Sequence, residues 1–375
     1  MFLFFVAWTK KRKFKYKICY YKVNCKLKIP LLKLAAKFFF VPNLKLQKIR
    51  KQVSFLNFIS AIDLADDLRN LEIDIEKSVS EDKFIQEICT PLLRGGKRLR
   101  PILFLLCARA KNIYSPEKNL PLATALELIH TASLVHDDIL DSAKKRRGVE
   151  TINSKYNSKI AVLVGDYLFA KAFQLVAENN YGREVSLILS DLIKNLCVGE
   201  ISQDRNLFAV PTLSEYYNRI NLKTAFFLST CCRLGGVVAN LEKSEVENLA
   251  NYGTSLGLAF QIVDDLLDFF GEENITGKAL GGDLKSGVVT LPVIRALQVE
   301  KDSDTLQKIL MQDKISDAEV LTAIKIIRET DAVEYCKNRA VSHINCARLD
   351  LPNDIDTAVR NSLEKIADFV INRTW

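Results

Sequence analysis

At 375 residues and 48% hydrophobic composition, the chain is long enough for one large core and somewhat long for a single domain. Its net charge of +8 is local: residues 1–50 hold 14 Lys and Arg and no Asp or Glu, which leaves 39 basic against 45 acidic side chains in the rest, a net of −6. That distribution excludes a nucleic-acid-binding body, and nine cysteines without a Cys-x-x-Cys pair, with only three histidines, exclude a disulfide framework and a histidine-based zinc site.

Residues 1–54 read as a basic N-terminal extension outside the fold. The apolar start Phe2–Trp8 is too short to span a bilayer. Its charges follow the apolar run rather than precede it, the wrong order for a secretory signal. An acid-free leader fits organellar targeting or peripheral association with a membrane surface, although it is rich in Lys rather than Arg and has no Ser before Ser54. Residues 55–375 read as one all-α domain. Apolar residues recur at three and four spacing in Ile62–Ile75, Leu120–Leu140, Ala161–Ala177, Val185–Ile201, Thr224–Leu234, Val246–Phe270 and Ala358–Ile371. Turn signals stand at Gly95-Gly96, Tyr114–Pro116, Asn179–Gly182, Val210–Thr212 and Gly271–Gly282.

In chain order, the first polar constellation is Gly95-Gly96-Lys97-Arg98-Leu99-Arg100-Pro101. Two glycines let the backbone approach an anion, and Lys97 and Arg100 are close enough in sequence to clamp it. The second is Asp137-Asp138-Ile139-Leu140-Asp141 at the end of an apolar helical stretch, followed by Lys144-Lys145-Arg146-Arg147. His130 lies one heptad before Asp137, which returns it to the same helix face within about 20°; His136 reads as a packed or capping side chain. The third is Lys223-Thr224 in an apolar helix, where a Lys is costly unless it meets an anion or a polar cavity. The fourth is Gln261, one turn before Asp264-Asp265-Leu266-Leu267-Asp268, and the fifth is the Gly-rich stretch Gly277–Lys285 with Lys278 and Lys285. One Asp-Asp-x-x-Asp alone fits a helix cap or a solvated acidic face. Two copies in apolar helices imply six buried carboxylates, which need a counter-charge. Residues i and i+4 lie about 40° apart on a helix, so Asp137 pairs with Asp141 and Asp264 with Asp268. Such oxygen-only pairs suit Mg²⁺, held by carboxylates together with a substrate diphosphate.

The order Gly-Gly-Lys-Arg-Leu-Arg-Pro, His-Asp-Asp-Ile-Leu-Asp with Arg146-Arg147, Gly165-Asp166, Lys223-Thr224 and Gln261–Asp268 resembles the all-trans isoprenyl diphosphate synthases over about residues 60–375. The resemblance implies an all-α isoprenoid-synthase fold around a central cavity and a homodimer or, in some cases, a heteromer. It implies a prenyltransferase that condenses isopentenyl diphosphate with an allylic diphosphate in the presence of two or three Mg²⁺ ions. It assigns the metal to Asp137, Asp141 and Asp264, supported by Asp138, Asp265 and Asp268. The allylic diphosphate falls to Arg146, Lys223 and Lys278 or Lys285, the isopentenyl diphosphate to Lys97, Arg100, His130 and Arg147, and the reacting carbon to Thr224 and Gln261. One departure is Val288, where the family often has a further Lys.

The resemblance also places the growing chain below the first motif. Ser133 and Ala132 lie four and five residues before Asp137, about 6–8 Å of helix rise. Small side chains there leave the floor open, so the expected product is long, about C30 to C50, such as a quinone side chain, made in a plastid or else a mitochondrion. Geranylgeranyl diphosphate synthesis is the alternative within the class. A terpene cyclase would lack the second aspartate motif and the Gly-Gly-Lys-Arg element, and a non-catalytic partner subunit would usually lose one motif. A structural membrane protein recruited by its leader would have no reason to bury six aspartates.

Overall fold

The computed structural model describes residues 2–5, 18–21, 64–111, 113–146, 148–271, 280–299, 303–312 and 314–372. The chain divides into two units, Met1–Ser54 and Phe55–Trp375. In the first, strands β1 (Phe2–Phe5) and β2 (Ile18–Tyr21) pair antiparallel with Phe2 opposite Tyr21.

Among the described residues, the regular structure of the second unit is helical except for one hairpin of two-residue strands. Its helices are α1 (Ala65–Lys77), α2 (Lys83–Leu93), α3 (Leu99–Cys107) and α4 (Pro116–Leu140), then the hairpin β3 (Lys145–Arg146) and β4 (Val149–Glu150). They continue with α5 (Ile152–Lys155), α6 (Ser158–Glu178), α7 (Gly182–Asp204) and α8 (Leu213–Ile220). A π-helical turn, Asn221–Ala225, joins α8 to α9 (Phe226–Val238), and α10 (Lys243–Phe270) follows. The rest comprises α11 (Gly282–Lys285), α12 (Leu291–Val299), α13 (Ser303–Leu310), α14 (Asp317–Arg328), α15 (Ala332–Asp350) and α16 (Thr357–Ile371).

Every expected helix exists, and most begin a few residues earlier than the apolar periodicity indicated. The reason is local. Hydrophobic spacing registers only the packed face, whereas a first turn is polar and held by caps. In α10 the first turn is Lys243-Ser244-Glu245, closed by a capping box between Glu242 and Glu245. In α4, Pro116 sits in the first turn, where its missing N–H costs nothing.

Two long helices organise the core. Helix α4 packs on α6, α1 and α3, and α10 packs on α9, α15 and the π turn. Helix α3 is buried at every position from Pro101 to Cys107 and bridges α4 and α9. The approach of α10 to α9 is set by two glycines one turn apart. A Cβ on Gly253 would lie 2.7 Å from the Leu228 carbonyl oxygen, and one on Gly257 would lie 2.4 Å from Ala225 Cα. Only hydrogen fits at either place, so the π turn is seated directly on the helix that carries the second aspartate motif.

Candidate active site

Helix geometry divides each aspartate motif. Successive residues turn by about 100°, so the middle aspartate points inward while its neighbours do not. Asp138 and Asp265 are buried, Asp137 and Asp268 are half-buried, and Asp141 and Asp264 are exposed. The expectation of six buried carboxylates is corrected on this point: two are buried, and each has partners within the protein. Asp138 accepts from Arg146 Nε at 2.8 Å. Asp265 accepts from the Tyr216 hydroxyl at 2.7 Å on one oxygen and from Gln261 Nε2 at 2.8 Å on the other.

Around the first motif, burial pushes the Asp137 carboxyl up to about 7; Glu200 and Asp141 add to the push, and Lys223 and Arg146 oppose it. Asp138 is raised by the same burial, opposed by Arg146. Lys223 reaches across from the π turn to α7, 2.6 Å from Glu200 Oε1 and 3.0 Å from Gln203 Oε1. Arg146 rides on the β3–β4 hairpin, and Asn153, on the short helix α5 that follows, donates to the Asp138 carbonyl at 3.0 Å. The helix α6 lies close alongside: a Cβ on Gly165 would strike His136 Nε2 at 2.1 Å, and His136 Nε2 is 3.2 Å from the Val162 carbonyl. His136 is thus a packed side chain.

At the second motif, burial pushes Asp265 up to about 6, against the hydrogen bonds from Gln261 and Tyr216 and the nearby Arg219. The Thr224 hydroxyl donates to Gln261 Oε1 at 2.8 Å. Consecutive residues of the π turn therefore serve opposite sides: Lys223 faces Asp137 and α7, and Thr224 joins Gln261 beside the second motif. Asp268, expected to support the metal, also holds backbone in place. Its oxygens accept from the backbone N–H of Gly282 at 3.2 Å and of Asp283 at 3.1 Å, so it caps α11. Lys285, at the end of α11, pairs with Asp317 Oδ1 at 2.5 Å.

The glycine-rich arm has Gly95 at φ +84° and Gly96 at φ +107°, and Arg98 at φ +52°. Arg98 is its anchor. The side chain is buried, with Nε and Nη2 on the two Glu72 oxygens at 2.6 and 2.8 Å and Nη1 on Glu127 at 2.6 Å. Burial alone would lower the guanidinium, but the two glutamates outweigh it and the charge is retained. With Arg98 turned inward, Lys97 lies exposed over the Phe369 ring at 5.2 Å. Arg100 lies over Phe227 at 4.8 Å, with Nη1 3.1 Å from His130 Nε2. Along α4, His130, Ser133 and Asp137 are half-buried on one stripe, while Ala132 is fully buried in the core. The Ser133 hydroxyl donates to the His130 carbonyl at 2.9 Å. Arg147 and Lys278 lie outside the described residues.

Sequence spacing did not point to Glu200, Gln203, Tyr216 or the Arg98–Glu72–Glu127 cluster. Glu200 and Gln203 sit three apart in a largely apolar helix, a usable signal; Tyr216 carries none, because a buried tyrosine reads as core.

A polyprenyl synthetase family model matches residues 82–327. Heptaprenyl diphosphate synthase component 2 of Geobacillus stearothermophilus is 41% identical over 275 residues, covering 72% of this chain and 84% of the relative. The chloroplastic solanesyl-diphosphate synthase 2 of Oryza sativa subsp. japonica is 32% identical over 333 residues, covering 87% and 81%. Among solved structures, a decaprenyl diphosphate synthase from Rhodobacter capsulatus superposes with a TM-score of 0.79 at 32% identity, covering 86% of this chain and 99% of that one. A polyprenyl synthase from Caulobacter crescentus CB15, complexed with calcium and isoprenyl diphosphate, gives 0.78 at 30% identity, covering 83% and 95%.

Proposed function

The chain belongs to the polyprenyl synthetase family and is a transferase of prenyl groups; from that premise we propose that it condenses isopentenyl diphosphate with an allylic diphosphate repeatedly, to an all-trans polyprenyl diphosphate of about C30 to C50. The observation that carries the reading is the π turn, which sets a cation, Lys223, beside the first aspartate motif and a hydroxyl, Thr224, beside the second.

By resemblance Asp137, Asp141 and Asp264 hold the metal, supported by Asp138, Asp265 and Asp268, which Arg146, Tyr216 with Gln261, and the start of α11 hold in place. They offer the hard oxygen donors that Mg²⁺ prefers. Bound there, Mg²⁺ would screen the allylic diphosphate and make it a better leaving group.

The chain's own groups do the rest. Arg146 and Lys223, with Lys278 and Lys285 as further candidates, hold the allylic diphosphate. Lys97, Arg100, His130 and Arg147 hold the isopentenyl diphosphate in line for attack. The dipoles of Thr224 and Gln261 stabilise the allylic cation without quenching it. The proton released after C–C bond formation goes to the departed diphosphate, since no side chain in the motifs is placed as a general base.

Product length rests on Ser133, which shares the half-buried stripe of Asp137, and on Ala132, which enters by resemblance. A long prenyl chain suits a quinone tail. The acid-free leader and the chloroplastic rice relative support a plastid, with a mitochondrion as the other outcome. We infer a homodimer; the Geobacillus relative, being one component of its enzyme, supports a heteromer as the second reading.

The test is Mg²⁺-dependent elongation by the full chain with labelled isopentenyl diphosphate and farnesyl or geranylgeranyl diphosphate. Products of C30 or longer are expected, and Ser133→Phe and Ala132→Phe should shorten them. A stop at C20 keeps the chemistry and discards the open floor. No incorporation by folded protein alone brings the heteromer forward.

A further inference from the structure

We propose that Tyr216 is a positioning residue for prenyl transfer. Through Asp265 it fixes the amide of Gln261, and through that amide it commits the Thr224 hydroxyl hydrogen, so that Thr224 turns only lone pairs toward the reacting carbon. The inference rests on the prenyl-transfer reading and deepens it.

Four side chains from three elements form one hydrogen-bonded line. Tyr216 on α8 donates to Asp265 Oδ2 at 2.7 Å, Gln261 Nε2 donates to Asp265 Oδ1 at 2.8 Å, and Thr224 donates to Gln261 Oε1 at 2.8 Å. The polarity of the line is set at Asp265, and Tyr216 holds that carboxylate in place. A phenol buried to 0% exposure needs a partner, and its single hydrogen goes to Asp265, itself 2% exposed. A carboxylate is acceptor only, so Gln261 must present its NH₂ to Asp265 and its carbonyl to Thr224. The hydroxyl of Thr224 then has its hydrogen engaged, and its oxygen remains as a bare dipole. Reversing the amide would set Oε1 against a carboxylate oxygen and would free the Thr224 hydrogen to point at a developing cation. That orientation opposes the cation rather than stabilising it.

The tyrosine itself is clamped. The Arg219 guanidinium lies 5.6 Å over its ring and donates to the Val289 carbonyl at 2.6 Å, and Tyr217 meets the ring edge-on at 5.4 Å. If Tyr216 were merely core packing, a phenylalanine would serve there equally well, because it fills the same space.

Five full-length proteins decide the matter: wild type, Tyr216→Phe, Thr224→Val, Thr224→Ser and the Tyr216→Phe/Thr224→Val double variant. Each is assayed for kcat, for KM of both diphosphates and for thermal unfolding. Tyr216→Phe should lower kcat about tenfold, less than the loss expected for a dipole that touches the reacting centre. Both KM values should stay within about twofold and Tm within about 5 °C. In the Thr224→Val background the same change should cost less than about twofold, because both substitutions break one line. Thr224→Ser, which keeps the hydroxyl, should retain the rate. A Tyr216→Phe enzyme with wild-type kcat, or losses that multiply in the double variant, overturns the assignment while the prenyl-transfer reading stands. A Tyr216→Phe protein that loses kcat only in proportion to a lowered folded fraction overturns it as well. A folded wild type with no prenyl transfer overturns both.

Discussion

At the scale of single residues, the inward Asp265 and the outward Asp137 share one liability. Asp137 is raised to about 7, by burial first, and Asp265 to about 6, also by burial first. A carboxyl whose folded pKa is raised binds its proton more tightly in the native state, so the stability it contributes is complete below the unfolded value near 4 and is lost as pH rises through the folded value. The metal-free protein should therefore become less stable between about pH 4 and 7. For a half-buried group such as Asp137 the loss is on the order of 2 kcal/mol after solvent screening. Asp137→Asn removes its share of that slope and leaves that of Asp265. The variant's melting temperature near pH 8 should exceed that of the wild type, while prenyl transfer falls by about a hundredfold or more; melting curves at several pH values and a single-turnover assay check both. Arg98 shows the opposite case. Arg98→Met leaves Glu127 buried without its partner, at a cost of about 3–5 kcal/mol in urea unfolding. The residues with this weight were only partly legible. The outward aspartates follow from 3.6 residues per turn. The wheel also shows that Asp138 must point elsewhere, but it does not show that Arg146 waits there.

At the scale of elements, the site depends on one irregular turn. Helices α8 and α9 form a nearly continuous helical run, and Asn221–Ala225 widens it to π geometry. Such a turn inserts a residue and re-aims the side chains that follow, which is how Lys223 and Thr224 come to serve different motifs. Apolar spacing reads that stretch as ordinary helix, because the flanking residues stay packed; the helices were legible and the joint was not. The glycines that seat the turn give the prediction at this scale. In Gly257→Ala the new Cβ would meet Ala225 Cα at 2.4 Å, and backbone cannot yield as a flexible side chain would. The change should cost about 1–3 kcal/mol of stability. It should also displace Thr224 from Gln261, so that kcat falls more than KM. Gly182→Ala, remote from the site, provides a comparison for glycine loss: it is strained by φ +86° but meets nothing within 4 Å, so it should affect stability alone.

At the scale of the whole molecule, α6 has more apolar surface than the second unit covers. Among the described residues it is the one helix long and apolar enough to cross a membrane, yet only 39% of its most apolar stretch is buried. One side packs on α4. The other presents Val162, Leu163 and Phe173, and the adjoining α7 presents Leu187, Val198 and Ile201, with Leu163 55% and Ile201 60% exposed. The periodicity that revealed α6 leaves open what its apolar residues meet, because spacing cannot distinguish a face that meets its own chain from one that meets another. Apolar surface of this extent is costly in water, and a two-fold partner using the same patch covers it on both copies at once. Leu163→Lys with Ile201→Lys should therefore convert a dimer to a monomer in sedimentation velocity. Neither residue belongs to the aspartate motifs or to the cations around them. The wild-type melting temperature should rise with protein concentration, because association stabilises only the folded state, and the double variant should lose that dependence. A wild type that sediments as a monomer, with a melting temperature independent of concentration, would show that this face does not bind a second copy. It would then remain open to a different component, as the name of the Geobacillus relative implies for that enzyme.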